Sequence, residues 1–298
     1  MQTAKDIHVA PISQKDAATL VKRVHYSGKI VNNSQLHFGV FLNGKLEGVM
    51  SFGASLDKRK TQRLVAETNW NDFLELNRMA FSDVLPRNSE SRALSIAFKL
   101  IKKHYPHIEW IISFADGTQC GDGTIYRASG FVLTGIKKNT QIWMSPEKTT
   151  FSRMSLTDGR SKKEQKTAKL IVNRVSEAKG KAITENGAAS MKSFIDAGFT
   201  PLDGFQLRYV YFLNPKAKER LTAPIIPFSK IEEMGAAMYK GEKISRVKKA
   251  NSSDQLECGG AVPTHTLHNN ALKVGDDDDQ SNSGGATPTL TLHSKITP

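Results

Sequence analysis

Residues 75–131 constrain the fold of this 298-residue chain more than any other segment. They read as a strand, a polar loop, an amphipathic helix, a short apolar strand and a short helix that ends at Gly130 and Phe131. The apolar run at 110–115 is typical of a strand that is buried on both faces of a sheet. Polar residues gather where these elements join, and an open α/β sheet binds its ligand at such junctions. The segment therefore predicts an α/β fold with a binding site at one edge of its sheet.

The elements on either side of this segment are predicted from local signals. Strand-like runs at 37–42 and 46–53 are joined by Asn43-Gly44, the strongest short hairpin signal. Residues 137–200 are rich in Lys, Ser and Thr, and we predict that they form a basic insertion before the last strand.

The chain is expected to divide into a folded part and a tail. We predict one domain at 1–244, with a helix at 163–179 inside the insertion and a final strand at 206–213. Residues 245–298 are rich in Asp, Ser, Thr and Asn and hold almost no aromatic residues, which predicts a disordered, polar and acidic tail.

The net charge of +13 is unevenly distributed along the chain. Residues 251–298 contribute −4 of this charge, so the first 250 residues carry +17. A cationic folded part favours a polyanionic partner, most simply nucleic acid. The alternative is a basic protein whose charge serves only its solubility.

Cysteine content and hydropathy limit the cellular context. The two cysteines, Cys120 and Cys258, lie far apart and are a poor basis for a disulfide framework or a zinc site, which indicates a reducing cytoplasm. No apolar run is long enough to span a membrane, and the N-terminus lacks the pattern of a signal peptide. We therefore expect no membrane partner.

Two charged residues are candidates for chemistry. Asp116 follows directly on the apolar strand, and Arg78 lies inside an otherwise apolar one. The carboxylate could act as a general base, a metal ligand or a partner of Arg78, or it could cap a turn with Gly117. A buried arginine needs an anionic partner because an unpaired buried charge is costly. We expect an Arg78–Asp116 pair, either as a structural ion pair or as part of an active site.

Two motifs in this segment resemble the GNAT acyltransferase superfamily. Residues 87–92 (RNSESR) stand where that family has Arg/Gln-x-x-Gly-x-Gly/Ala, with Glu90 and Arg92 in place of the glycines. Ile125-Tyr126, three residues and Gly130-Phe131 resemble the second signature. The resemblance implies a mixed, largely antiparallel sheet flanked by helices, with Tyr126 as a general acid. It also implies an acyl-CoA donor such as acetyl-CoA, bound at the start of a helix by Arg87, Asn88, Ser89, Ser91 and Arg92. From the residues alone, Asn88 or Ser89 is expected to cap that helix.

Longer strings resemble the Mom DNA-modification proteins of Mu-like phages over about residues 20–243. They are HYSG from His25 onward, ELNRMAFSD, LPRNSESR, SFADGTQCGDGTIYRASGF and GFQLRYVYFL. The resemblance implies an enzyme that converts the N6 amine of deoxyadenosine in DNA to a methylcarbamoyl-type adduct. The adduct would protect phage DNA from host restriction enzymes, and the enzyme would act in the host cytoplasm on double-stranded DNA.

The same resemblance implies a set of site residues. Those implied for catalysis are Arg78, Ser91, Asp116 and Tyr126, and Tyr26 is implied for the substrate. An iron is also implied, and His25 and Asp116 are reasonable ligands for it. The basic insertion adds candidate DNA contacts, for which the alternative is a solvated loop: Lys162, Lys163, Lys166, Lys169 and Arg174.

Two other functions remain open at this point. One is a GNAT N-acetyltransferase that uses acetyl-CoA on a small amine or a protein lysine. The other is a DNA-binding protein without catalysis. The sequence leaves the oligomeric state open as well, with a homodimer as one option.

Overall fold

A computed structural model describes residues 2–25, 27–118, 121–157, 162–178 and 190–236. The strands in these residues are β1 (His8–Pro11), β2 (Ser34–Leu42), β3 (Lys45–Gly53), β4 (Phe73–Phe81), β5 (Trp110–Asp116), β6 (Val132–Lys138), β7 (Ile142–Met144), β8 (Thr150–Ser152), β9 (Thr200–Pro201) and β10 (Phe205–Phe212). The helices are α1 (Gln14–Val24), α2 (Lys58–Gln62), α3 (Ser89–His104), α4 (Thr124–Ala128), α5 (Arg153–Thr157), α6 (Lys162–Ala178), α7 (Met191–Asp196) and α8 (Ser229–Glu233).

A seven-stranded sheet with the order β1-β2-β3-β4-β5-β10-β6 organises the fold. All neighbouring strands are antiparallel except the central pair, β4 and β5, which is parallel. The predicted mixed, largely antiparallel sheet flanked by helices is therefore confirmed. The predicted hairpin is also confirmed, because Asn43 and Gly44 join β2 to β3 with positive φ angles of 51° and 75°.

The two faces of the sheet are covered differently. The α3 face, so called because α3 packs on it, holds the largest apolar core, with residues such as Phe38, Phe52, Ile111 and Tyr209. The opposite face is the α1 face. One of its clusters joins α1 to Val49 and Ala80, and a second is formed by Val65, Phe73, Trp110, Ile112, Val210 and Ala217. Among the residues that the structure describes, two separate clusters therefore cover this second face.

The sequence predicts that β5 is buried on both faces, but the structure confirms this for only part of the strand. Phe114 is 47% exposed, whereas Trp110, Ile111, Ile112 and Ser113 before it are fully buried. An apolar run interrupted only by Ser113 carries no sign of such a change, because exposure depends on which elements cover each face of the sheet.

The insertion at 137–200 has more structure than its polar composition predicts. Its helix α6 is confirmed, but β7, β8 and β9 also form a small sheet. This sheet and the helices α5 to α7 enclose a separate apolar core that includes Trp143, Phe151, Phe194 and Phe199. These large side chains are too few and too widely spaced in sequence to produce a clear periodic pattern.

All described residues belong to one compact unit, Met1–Pro263. The predicted tail at 245–298 lies outside the described residues, so the predicted domain division stays a prediction. Among the described helices, none combines the length and the apolar character that crossing a membrane requires.

Candidate active site

The parallel pair at the centre of the sheet opens into a gap. The ladder between β4 and β5 consists of the pairs Phe73–Trp110, Leu74–Ile111 and Glu75–Ile112. Beyond these pairs β4 stays paired with β3 and β5 stays paired with β10, so the two strands diverge. We call the space between residues 76–81 and residues 113–116 the β4–β5 gap. Arg78 and Asp116 border this gap from opposite sides.

A β-bulge decides which way the side chains of β4 point. Two consecutive residues of β3, Ser51 and Phe52, pair with Arg78 and Leu76, which leaves Asn77 as an extra residue in β4. A bulge of this kind shifts the alternation of side chains by one residue.

Glu75 and Arg78 share the α1 face because of this bulge. Strict alternation would place two residues three apart on opposite faces of the sheet. The side chain of Asn77 holds the bulge in place: its Nδ2 donates to the carbonyl of Ala54 at 3.4 Å, and its Oδ1 accepts from the hydroxyl of Ser34 at 3.1 Å.

His25 lies beside Arg78 at the end of α1. Its Nδ1 accepts the backbone N–H of Ser27 at 3.1 Å and lies 2.8 Å from the Ser27 hydroxyl. Burial and the charge of Arg78 lower the pKa of His25 from 6.5 to about 3. The imidazole is therefore neutral at physiological pH. A backbone N–H can only donate, so the single ring proton of His25 resides on Nε2.

Glu75 provides a half-buried carboxyl group next to Arg78. Burial raises the pKa of Glu75, whereas hydrogen bonds from Ser55, Asn77 and the backbone of Leu56, together with the charge of Arg78, favour the ionised form. From the sequence, Asp116 was the one expected partner of Arg78. Glu75 was missed because strict alternation would have placed it on the other face of the sheet.

The polar residues of the α1 face form one continuous group across the sheet. Nδ1 of His37 lies 2.8 Å from the hydroxyl of Ser51, and Ser51 pairs with Arg78 on the next strand. Burial lowers the pKa of His37. We call His25, His37, Ser51, Glu75 and Arg78 the polar band. It lies between the two apolar clusters of the α1 face.

Asp116 is the last residue of β5. Its Oδ1 accepts the backbone N–H of Thr118 at 3.0 Å and also a hydrogen bond from the Thr118 hydroxyl. The turn-capping role that the sequence left open is therefore confirmed. By alternation from Ile112, Asp116 lies on the α1 face, the same face as Arg78. Their direct pairing stays a prediction.

Tyr126 lies with the core of the α3 face. Its ring centroid is 5.2 Å from that of Phe131 and 5.3 Å from that of Tyr209. The packing role that the sequence allowed is confirmed, and the role of general acid stays a prediction. The polar band lies on the opposite face of the sheet. Tyr126 and the polar band can therefore serve one reaction only across the β4–β5 gap.

The side chains of the loop before α3 do not form the predicted cap. Asn88 is the N-cap residue, but it has a left-handed backbone (φ 69°) and makes no capping bond through its side chain. Ser89 is fully buried, and its hydroxyl donates to the carbonyl of Pro86 at 2.6 Å. Ser91 donates to the carbonyl of Asn88 at 3.2 Å. Of the predicted cofactor contacts, Arg87 and Arg92 are the exposed charged side chains.

The N-terminus of α3 already holds a carboxyl group. Burial raises the pKa of Glu90, and the backbone N–H of Glu90, which donates to its own carboxyl group, acts in the opposite direction. The N–H of Ser89 donates to the Pro86 carbonyl at 3.1 Å, and that of Arg92 to the Asn88 carbonyl at 3.2 Å. An anion would meet the Glu90 carboxyl group and few available donors. The backbone of this loop therefore does not fit the pyrophosphate of coenzyme A.

His25 and Asp116 do not form a metal site with other described residues. Within the described ranges, no group of three or more His, Cys, Asp or Glu side chains could hold a metal ion. His25 Nδ1 is engaged with Ser27, its Nε2 carries the proton, and the charge of Arg78 repels a cation. The predicted pair of ligands therefore does not fit iron.

The predicted DNA contacts of the basic insertion all lie on α6. Lys162 is the first residue of α6, while Lys163, Lys166 and Arg174 are exposed and Lys169 is half-buried. Lys29 forms an ion pair with Glu164, which ties α6 to the loop that follows His25. Nη1 of Arg174 lies 3.3 Å from Oε1 of Glu147. Tyr26 lies outside the described residues.

Comparison with known proteins gives a family match and a curated relative. The model of the Mom protein family matches residues 6–230. The methylcarbamoylase mom of Escherichia phage Mu is 45% identical over 138 residues, which cover 46% of this chain and 57% of that protein. The chain thus spans a little over half the length of this curated relative.

Several solved acetyltransferases resemble the chain at low identity. The ribosomal-protein-S18-alanine N-acetyltransferase from Escherichia coli is 10% identical, with 70% of this chain and 94% of that chain covered and a TM-score of 0.37. The spermidine/spermine N-acetyltransferase SpeG from Vibrio cholerae is 9% identical, with 72% and 98% covered and a TM-score of 0.36. A Bacillus subtilis acetyltransferase in complex with CoA is 11% identical, with 69% and 97% covered and a TM-score of 0.34.

Proposed function

Because this chain belongs to the Mom protein family, we propose that it is a phage DNA-modification enzyme that converts the N6 amine of deoxyadenosine to a methylcarbamoyl-type adduct. The observation that carries the proposal is the 45% identity to a methylcarbamoylase of phage Mu. The substrate is double-stranded DNA in the host cytoplasm, and the product protects phage DNA from restriction. The net charge of +13 supports a polyanionic substrate.

The α1 face offers the groups that such a reaction needs. The N6 amine must lose a proton as it attacks a carbonyl carbon of the donor, and Asp116 at the β4–β5 gap is the base that accepts or organises this proton. Arg78, on the other border of the gap, stabilises the negative charge that develops on the carbonyl oxygen. His25, neutral with its proton on Nε2, can donate a hydrogen bond but adds no charge.

Tyr126 completes the proposed set from the other face of the sheet. As a neutral O–H donor it can protonate the leaving group on the α3 side of the gap, when the bond between that group and the carbonyl carbon of the donor breaks. Since the described residues fit neither coenzyme A at the loop before α3 nor iron at His25 and Asp116, none of these steps depends on either group.

The proposal is tested by the chemistry of the DNA itself. The full chain is expressed in bacteria, plasmid DNA is digested to nucleosides, and mass spectrometry measures modified deoxyadenosine. We expect a methylcarbamoyl-type deoxyadenosine that is missing from an empty-vector culture. Unmodified DNA in cells with abundant folded protein would contradict the proposal. Turnover of acetyl-CoA on a free amine, with no change to DNA, would instead select the acetyltransferase alternative.

A further inference from the structure

Phe114 is an exposed aromatic residue in the interior of a seven-stranded sheet. It is 47% exposed, while Ser113 before it is fully buried and Ala115 after it is 8% exposed. Side chains of a central strand are normally covered on both faces, and a large exposed apolar side chain in such a place indicates a binding surface. The exposure of Phe114 therefore marks an open part of the α1 face.

The position of Phe114 relates it directly to the proposed base. It lies two residues before Asp116 on the same strand, so both side chains point to the α1 face about 7 Å apart. It lies two residues after Ile112, the last residue of β5 that pairs with β4. Phe114 therefore borders the β4–β5 gap next to the carboxylate of Asp116.

A fixed guanidinium group lies on the other side of Phe114. Arg208 of β10 pairs with Phe114, and its side chain is held against β6. Its Nε donates to the hydroxyl of Thr134 at 3.1 Å and its Nη2 donates to the Thr134 carbonyl at 2.7 Å. The phenyl ring is thus flanked by positive charge at Arg208, which complements a nucleotide and its phosphates.

An adenine base that is to react at N6 must first leave the helical stack of duplex DNA. Proteins that bind extruded bases usually stack them on aromatic side chains. A purine laid on Phe114 would bring its edge toward Asp116, which can accept a hydrogen bond from the N6 amine. We propose that Phe114 is the platform on which the extruded adenine stacks. This inference rests on the proposed function, because it takes DNA adenine as the substrate.

The test compares substitutions that keep or remove the ring. Phe114→Leu keeps an apolar side chain without a π face, and Phe114→Trp keeps an aromatic face. We expect Phe114→Leu to lower kcat/KM for a duplex oligonucleotide between about 5- and 150-fold, the effect of losing one base–aromatic contact. Phe114→Trp should keep most of the activity. Ile225→Ala, at a site outside α6 that is also 47% exposed, is the control for loss of an exposed apolar side chain and should match the unchanged protein.

A second measurement locates the base without relying on turnover. An oligonucleotide with 8-azidoadenine at the target position is photo-crosslinked to the full chain, and the labelled peptide is identified by mass spectrometry. Labelling of the β5 peptide supports the inference. Labelling elsewhere, or a Phe114→Leu protein as active as the unchanged one, overturns it while the proposed function stands. An unchanged protein that modifies no DNA overturns the proposed function instead.

Discussion

His25 illustrates how one residue acquires its properties from its neighbours. The sequence shows only a histidine near the end of a helix, which is a weak indication of function. In the fold, burial and Arg78 keep its ring neutral, and the backbone of Ser27 fixes the position of its proton. Neither effect can be read from the sequence, because Arg78 reaches His25 only through the packing of α1 on β4.

The neutral state of His25 predicts a loss of stability in acid. Its pKa is 6.5 when unfolded and about 3 when folded, so below pH 6.5 the unfolded chain takes up a proton that the folded chain does not. The free energy of unfolding should fall as pH decreases from 6.5 to 3, by up to about 4 kcal/mol from this residue. His25→Asn, which keeps an acceptor for the Ser27 N–H, should show a smaller decrease in urea-unfolding series at each pH. Equal slopes for both proteins would contradict this.

Asp116 should matter for the reaction and little for the fold. Asp116→Asn keeps an oxygen that can accept the Thr118 N–H, so the melting temperature should change little. Loss of the general base should lower the rate of adenine modification by about 100-fold or more. Asp72→Asn is the matched control, since Asp72 also accepts a backbone N–H in a turn, from Asn69 at 3.0 Å. A fully active Asp116→Asn protein would remove Asp116 from the mechanism.

At the scale of elements, the sequence predicts what depends on local signals. The hairpin was predictable from Asn43-Gly44, and α3 was predictable from its apolar stripe. The bulge at Asn77 was not predictable, because it depends on the register between β3 and β4. The exposure of Phe114 was not predictable either, because it depends on which elements cover the α1 face at the end of β5. Hence Arg78 and Asp116 could be named as candidates from the sequence, and their roles stay predictions, whereas Glu75, His37 and Phe114 could not be named.

The start of α3 predicts weak binding of coenzyme A. The carboxyl group of Glu90 occupies the helix end where a pyrophosphate would bind. Calorimetric titration of the protein with coenzyme A should show no saturable binding at millimolar concentration. The double variant Glu90→Gly/Arg92→Gly, which restores the glycines of the GNAT loop, should gain binding. Glu90→Gln separates the effect of charge from that of backbone freedom. Tight binding by the unchanged protein would show that the Glu90 carboxyl group does not block the site.

For the whole molecule, the placement of charge should decide how DNA is held. The ion pair between Lys29 and Glu164 ties α6 to the loop beside His25, so the cations of α6 belong to the same side of the fold as the end of α1. The lysines of α3 lie on the helix that covers the opposite face of the sheet. Equal charges on these two helices should therefore contribute unequally to DNA binding.

A comparison of two triple variants tests this. Lys163→Ala/Lys166→Ala/Lys169→Ala should weaken DNA binding and reduce the salt dependence of the affinity, by up to about 0.9 in slope for each lost phosphate contact. Lys99→Ala/Lys102→Ala/Lys103→Ala removes the same charge from α3 and should bind nearly as the unchanged protein does. Binding is measured by fluorescence anisotropy over a range of salt concentrations. Equal losses in both variants would assign the effect to net charge alone.

The divergence of β4 and β5 also has a consequence for backbone dynamics. Past Glu75 and Ile112 each strand keeps one partner, β3 or β10, and turns its other side to the gap. Backbone amides that face the gap should exchange with deuterium much faster than those of the pairs 73–75 and 110–112, although all of them lie at the centre of the sheet. In exchange measurements the middle of this sheet should behave like an edge, and a bound ligand that fills the gap should slow the same amides selectively.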